Sequence, residues 1–333
     1  MGKSYLVTGG TGFLGSALVR RLVNAGHRVR VLDSNLRGNP KRLRDVLADI
    51  DLVEADIRDP AAVQRACRGM DSVVHLAYIN GTEFFYAKPE LVLDVAVSGI
   101  MNVLNGCRKA DLPELVLASS SEVYQTPPTI PTDESVPLSI PDPLNPRYSY
   151  GGGKIISELL AINYGRTKFE RVTIFRPHNV YGPDMGREHV IPQFLLRMKE
   201  LCKKPDDPIR FPIQGTGEES RSFVFIDDFT DGLMTVLERG EHLGIYNIGT
   251  IEEISIENLA QLVANYYGRR IEIVRGELRR GSTKRRCPDI TKLRLLGYQP
   301  RYSLRQGLAI TAEWYDRNTK EPGRGIDNQG AAQ

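Results

Sequence analysis

Cysteine is scarce in this chain. Cys67, Cys107, Cys202 and Cys287 are the only four among 333 residues. No two share a CxxC spacing and none has a histidine at metal-ligand spacing, so neither a zinc site nor a disulfide framework is expected. Charge of one sign is lacking too: 44 Lys and Arg face 41 Asp and Glu, a net of +3 with both signs scattered. Such a balance gives no field that marks a nucleic-acid or membrane-surface binder. No run approaches the ~20 apolar residues needed to span a bilayer. The N-terminus offers only Tyr5 to Val7 before glycine, too short for a signal-peptide core. The expectations are a cytoplasmic setting, small-molecule partners, no membrane, no nucleic acid and no metal.

What is present fits a folded chain. Hydrophobic residues make up 41%, with 31 glycines besides. At roughly 150 residues per domain the length suggests about two folding units or one large α/β unit. Short apolar runs predict buried strands at Ser4–Val7, Val29–Leu32, Leu52–Glu54, Ser72–Leu76, Leu115–Ala118 and Val172–Phe175. Helical patterns fall between them at Gly12–Asn24, Asp59–Arg68, Leu91–Lys109 and Tyr150–Tyr164. Strands alternating with helices imply a doubly wound parallel α/β sheet of Rossmann type. Thr126–Asn145, rich in proline and polar residues, reads as a loop over the strand ends, where ligands bind in such sheets.

Beyond about Tyr181 the pattern loosens into a smaller α+β lobe with returns to the sheet. Strands are predicted at Phe223–Ile226, Ile245–Ile248 and Ile271–Val274, and helices at Ile191–Leu201, Asp228–Glu238, Ile256–Tyr267 and Leu304–Arg317. The division is therefore a cofactor unit over 1–180, a substrate lobe over 181–317 and a loose tail over 318–333.

The first strand runs into Thr8-Gly9-Gly10-Thr11-Gly12-Phe13-Leu14-Gly15, which opens the first helix. A tight turn, close backbone approach and amides at a helix N-terminus are what a pyrophosphate requires. The second strand ends in Asp33, about 20 residues on, where a carboxylate accepts hydrogen bonds from ribose hydroxyls. Asp33 would repel a 2′-phosphate, which favours NAD over NADP, although Arg37 lies nearby. Asp56 and Ile57 follow the third strand, either reading an adenine edge or forming an acidic turn. Leu76 and Ala77 close the fourth strand beside the same cleft.

Tyr150 and Lys154 stand four apart and share one helix face. A lysine ammonium and an oxidised nicotinamide nearby would lower the phenol from its free pKa of ~10 and make it a base. Gly151, Gly152 and Gly153 between them break helix rules, as functional sites often do. The strand Leu115–Ala118 leads into Ser119-Ser120-Ser121-Glu122-Val123-Tyr124, which presents hydroxyls and a carboxylate at a strand's C-terminal end.

Together these features resemble the extended short-chain dehydrogenase/reductase family, specifically its NAD-dependent nucleotide-sugar epimerases, dehydratases and decarboxylases. The similarity continues through Arg176-Pro177-His178-Asn179-Val180-Tyr181-Gly182-Pro183, Gly215-Thr216-Gly217 with Arg221, Phe223 and Asp227-Asp228, and Tyr246-Asn247-Ile248-Gly249. The resemblance implies that Ser120 hydrogen-bonds the sugar hydroxyl, Tyr150 is the base, and Lys154 tunes it and holds the nicotinamide ribose. It also implies that Asn179, Arg221 and Arg286 contact the sugar diphosphate, and planar guanidinium forks suit phosphate. Helices Leu91–Lys109 and Tyr150–Tyr164 resemble the pair that forms a dimer interface in the family, so a homodimer is expected. Two positions depart from the pattern: Ala96 stands where an Asn is frequent, and Gln125 where Gly usually follows Val-Tyr.

In this family oxidation at C4 with recycled NAD gives a 4-keto sugar that epimerases, dehydratases and decarboxylases share. Glu122, preceded by Ser121, is the distinguishing feature, because a carboxylate there can move a proton at C5 or C6. Pro146-Arg147 before Tyr148-Ser149-Tyr150 resembles the decarboxylases, although a surface loop also explains Arg147. The expected reaction is decarboxylation of a UDP-hexuronate or 4,6-dehydration. Plain 4-epimerisation and a net 4-ketosugar reductase or dehydrogenase remain the alternatives. His75 and His178 read as structural.

Overall fold

The computed structural model describes residues 2–277, 281 and 283–319. The anticipated tail from 320 onward, and Arg279 and Arg280 of the basic stretch, lie outside the described residues. In chain order the first half runs β1 (Ser4–Thr8), α1 (Phe13–Asn24), β2 (Arg28–Asp33), β3 (Ile50–Glu54), α2 (Pro60–Cys67), β4 (Ser72–His75), α3 (Thr82–Ala87), α4 (Pro89–Lys109), β5 (Glu114–Ala118), α5 (Tyr148–Lys168) and β6 (Arg171–Pro177). Then follow β7 (Val180–Tyr181), α6 (Val190–Leu201), β8 (Ile209–Ile213), β9 (Ser220–Ser222), β10 (Val224–Phe225), α7 (Ile226–Arg239) and β11 (Gly244–Ile248). The chain closes with β12 (Glu253–Ser255), α8 (Ile256–Tyr266), β13 (Ile271–Arg275), β14 (Arg285–Arg286), α9 (Thr291–Leu295) and α10 (Leu304–Asn318).

Seven parallel strands form one sheet in the order β11-β6-β5-β4-β1-β2-β3. Its strands are near-continuous apolar runs because helices cover both faces. Strand order reverses between β1 and β4, and ligands of such sheets sit at the carboxyl ends of the strands there. Asp59 caps α2 by accepting from Ala61 and Ala62 amides, with Pro60 at the first helical position. The later part of the chain adds three small pairings, β12-β9-β14, β13-β8 and β10-β7, and returns β11 to the main sheet.

Several expectations need correction. Helix α3, at residues 82–87, has no counterpart among the expected elements. The strand expected at Phe223–Ile226 is only Val224–Phe225, because Ile226 already begins α7. β7, β9, β12 and β14, of two or three residues each, carry too little periodicity to be read from one sequence, and the alternating β8 was not anticipated. Helix α4, at 21 residues, is long and apolar enough to cross a membrane by length and composition. Asp94, Ser98 and Asn102 interrupt its apolar run, which hid this in the sequence. In the fold it packs on α2 and α5, burying Val92, Val95, Ile100 and Val103.

Helix α5 starts at Tyr148 and runs unbroken through its three glycines. They are dictated by close approach. A Cβ on Gly153 would lie 2.2 Å from the Tyr78 hydroxyl and 2.7 Å from Ala96 Cβ, and one on Gly151 would lie 2.7 Å from the Gln125 amide nitrogen. Small residues here let the helix bring Tyr150 and Lys154 against β5.

Candidate active site

One cleft at the strand ends is lined by Gly9, Gly12, Phe13, Leu14, Gly15 and Asp33 on one side. Asp56, Ile57, Leu76, Ala77, Tyr150 and Lys154 line the rest of the same space. The turn after β1 has the shape a dinucleotide needs. Gly9 has φ +74°, and a Cβ there would strike the Ala77 backbone at 2.7 Å. A Cβ on Gly15 would come within 2.1 Å of the Gly9 carbonyl, so α1 can begin against the turn only with glycine. Gly12 meets nothing but that carbonyl, at 3.1 Å, and leaves its open face to the cleft.

Asp33 accepts from the Thr11 amide at 3.0 Å and the Asn35 amide at 2.9 Å, which fixes its carboxylate at the cleft wall. Arg37 is engaged elsewhere, paired with Glu188 and lying over the Phe84 ring at 5.0 Å. Asp56 lines the cleft and also closes a turn, accepting from the Arg58 amide and guanidinium; the latter holds its carboxyl below the usual range. The segment from Asp184 to His189 also borders this space: Asp184 binds Arg42, and Gly186, Glu188 and His189 line the cleft. A glycine cradle, a fixed carboxylate acceptor and a buried Ser119 hydroxyl without a partner fit a dinucleotide with a ribose diol. Among the described residues no three His, Cys, Asp or Glu gather as a metal site.

The sequence-predicted reacting groups converge at the cleft's inner end. Tyr150 is stacked on Phe85 at 5.0 Å and meets Tyr78 edge-on at 5.1 Å. Ser120 accepts from the Glu122 amide, and its hydroxyl is near enough to Tyr150 to pull the phenol's pKa down. Lys154 donates to the Ala118 carbonyl at 2.7 Å, and its ammonium lies 3.8 Å from the Tyr78 ring centroid. Burial dominates both titrations. It pushes the Tyr150 phenol up to about 12, against the pull of Ser120, and Lys154 down to about 7. Lys154 is itself desolvated and lies 6.0 Å from the Tyr150 ring centroid, so among the protein's own groups burial outweighs its charge.

Ser121 is buried at the start of a one-turn 3-10 helix that carries Glu122. Glu122 pairs with Arg286 at 2.6 Å. Burial raises the Glu122 carboxyl, but Arg286, aided by Arg147 and Arg221, more than reverses this and holds it below the ordinary range. Arg286, read as a phosphate ligand, is thus placed on the carboxylate. Arg221 donates to the carbonyls of Ser220, Thr283 and Lys284, and Asn179 to that of Ser222. The Nε of Arg147 is buried without a partner.

Sequence reasoning missed the network behind these groups. Arg176 and Glu158 form a bidentate pair at 2.7 and 2.9 Å, each about 2% exposed. Arg176 also donates to the Tyr124 hydroxyl, which donates to Asn247, and Asn247 meets His178 at 3.1 Å. The quoted Arg176–Pro183 and Tyr246–Gly249 motifs therefore tie β6 and β11 to the catalytic helix. The i+4 spacing of Lys154 and Glu158 was the available signal.

A profile of the NAD dependent epimerase/dehydratase family matches residues 5–249. The chain belongs to that family. It is accordingly an NAD-dependent enzyme of the epimerase, dehydratase and decarboxylase kind. Family members similar to it include UDP-glucuronic acid decarboxylase 2 of Arabidopsis thaliana, 32% identical over 93% of this chain and 67% of the relative. A putative UDP-glucose 4-epimerase of Methanocaldococcus jannaschii is 32% identical over 95% of this chain and 99% of the relative. Among solved structures, a dTDP-glucose 4,6-dehydratase of Streptomyces venezuelae with NAD bound superposes with a TM-score of 0.84. It is 32% identical, covering 95% of this chain and 97% of that one.

Proposed function

We propose that this enzyme releases the C6 carboxylate of a UDP-hexuronate as carbon dioxide, through a transient 4-keto sugar and with NAD recycled. The observation that carries the reading is one carboxylate, Glu122, facing three guanidinium groups, Arg147, Arg221 and Arg286. Their sum is positive and suits a sugar that is itself anionic. Relatives about one-third identical named UDP-glucuronic acid decarboxylases support it.

In this mechanism Tyr150 takes the proton of the C4 hydroxyl, and Ser120 orients that hydroxyl. When bound, NAD supplies the hydride acceptor and a positive charge that favours the Tyr150 phenolate. A ketone at C4 is β to the C6 carboxylate, so loss of carbon dioxide leaves an enolate whose oxygen Ser120 and the Tyr150 hydroxyl hold. The substrate carboxylate competes with Glu122 for Arg286. Deprived of its partner, Glu122 rises in pKa and takes up one proton. It then delivers that proton to C5, and one proton is consumed for each carbon dioxide released. Asn179 and Arg221 are assigned to the diphosphate side.

A second reading, 4,6-dehydration, is favoured by the state of Glu122 itself, since a carboxyl held below its ordinary range is a base ready to remove the C5 proton. Incubation with UDP-glucuronate, UDP-glucose and dTDP-glucose without added cofactor separates the readings by product mass. Loss of carbon dioxide supports the proposal and loss of water the second reading. An unchanged mass with a new NMR spectrum means epimerisation, and dependence on stoichiometric NAD(P)H means a net reductase.

The assembly proposed is a homodimer through the outer faces of α4 and α5, where Leu93, Ile156 and Leu159 are exposed; a monomer mass in solution would contradict it. A cytoplasmic setting is proposed on four free cysteines, and cell fractionation tests it.

A further inference from the structure

Gln125, one of the two positions that depart from the family pattern, has φ +51°, a left-handed conformation that residues with a side chain seldom adopt. Its side-chain nitrogen donates to the Glu122 carbonyl at 2.5 Å. Its own carbonyl accepts from the Thr283 hydroxyl at 3.2 Å. The same Thr283 oxygen accepts from Arg286 Nη2 at 3.0 Å, and Arg286 Nη1 donates to Glu122 Oε1 at 2.6 Å. These four bonds close a ring, Glu122–Gln125–Thr283–Arg286, in which the Thr283 hydroxyl is used once as donor and once as acceptor. Gln125 and Thr283 are each about 4% exposed, so no bulk water competes for these bonds. The amide nitrogen of Gln125 also occupies the space a Cβ on Gly151 would fill, next to Tyr150.

We infer that Gln125 and Thr283 are positioning residues that hold Arg286 on Glu122 and thereby set the protonation state of that carboxylate. The inference rests on the role proposed for Glu122. It explains why a strained glutamine stands where glycine would be free of strain: glycine supplies no amide to the Glu122 carbonyl, and the ring opens. Thr283 stands 158 residues from Gln125 and three from Arg286, so it joins the two segments and aligns Arg286 from just before β14.

The test is the titration of Glu122 in the full-length protein with NAD bound, by carbon NMR of labelled glutamate with Glu122→Gln assigning the signal. Gln125→Gly relieves the backbone and removes the amide. The expected result is a melting temperature equal to or above that of the unchanged protein, with Glu122 titrating roughly one pH unit higher. Thr283→Val cuts the ring without touching the strained backbone and is expected to shift the titration in the same direction. Thr283→Ser, which keeps the hydroxyl, is expected to restore it. An unchanged Glu122 titration in Gln125→Gly and Thr283→Val overturns the inference, whatever the melting temperature does. The titration needs no substrate, so a failure of the decarboxylase reading appears separately, in the product mass of the unchanged protein.

Discussion

The two halves of the site, the cofactor cleft and the group of residues proposed to act on the sugar, are built differently. The cofactor half is backbone: a turn of glycines, a helix start and a carboxylate fixed by two amides, all within residues 9–35. The proposed sugar half relies on side chains: Glu122, Gln125, Thr283 and Arg286 meet from two segments far apart in sequence and hold one another through a single ring that also uses the main-chain carbonyls of Glu122 and Gln125. A backbone site tolerates no added atom but needs few particular side chains. A side-chain site can be rewired by one substitution, which is how a single fold comes to host several reactions on a shared ketone.

The comparison can be broken at several points. The largest expected effect is Tyr150→Phe, which removes the proton acceptor from the sugar half and should lower turnover by about 10²–10⁴-fold while NAD stays bound. Steady-state kinetics with absorbance of the retained cofactor reads both. Next is Gly15→Ala, which puts a methyl group against the Gly9 carbonyl and should abolish NAD retention and lower the melting temperature, with no group in the sugar half touched. A calorimetric titration and a melt check it. Asp33→Ala is smaller: losing a charged acceptor should weaken NAD by roughly 10–100-fold and relax discrimination against NADP, as measured by competitive binding.

The smallest effect is shared by both halves. Burial holds His75 and His178 neutral, each lowered to about 3. As pH falls below the unfolded value of about 6.5, the unfolded chain takes protons that the fold refuses, so stability is lost on the acid side. One unit below that value each histidine contributes about 1.4 kcal/mol of this loss. Melting temperature against pH should therefore decline from near 6.5 downward, and less steeply when either histidine is replaced by asparagine.

The same contrast explains what could be read from the sequence. The strands β1 to β6, the helices α1, α2, α4 and α5, the glycine turn, Asp33 at the end of β2 and the nearness of Ser120, Tyr150 and Lys154 were legible, because period, spacing and local chemistry specify them. The short strands β9, β12 and β14 were not, since two or three residues carry no period. The partner of Glu122 was not either. Arg286 was assigned to phosphate because a guanidinium fork suits any anion, and only the packing of β14 against β9 puts it on the carboxylate. The extent to which burial raises the Tyr150 phenol was not legible either, since the sequence does not display burial.

The most direct test of the account is a single turnover of Glu122→Gln with UDP-glucuronate, following reduction of bound NAD, release of carbon dioxide and appearance of the pentose product together. The account predicts that NAD is reduced and carbon dioxide released at close to the normal rates, while protonation at C5, read as appearance of the pentose product, falls by at least about 10²-fold. Equal loss of all three steps, or of none, would contradict a division of labour between the two halves.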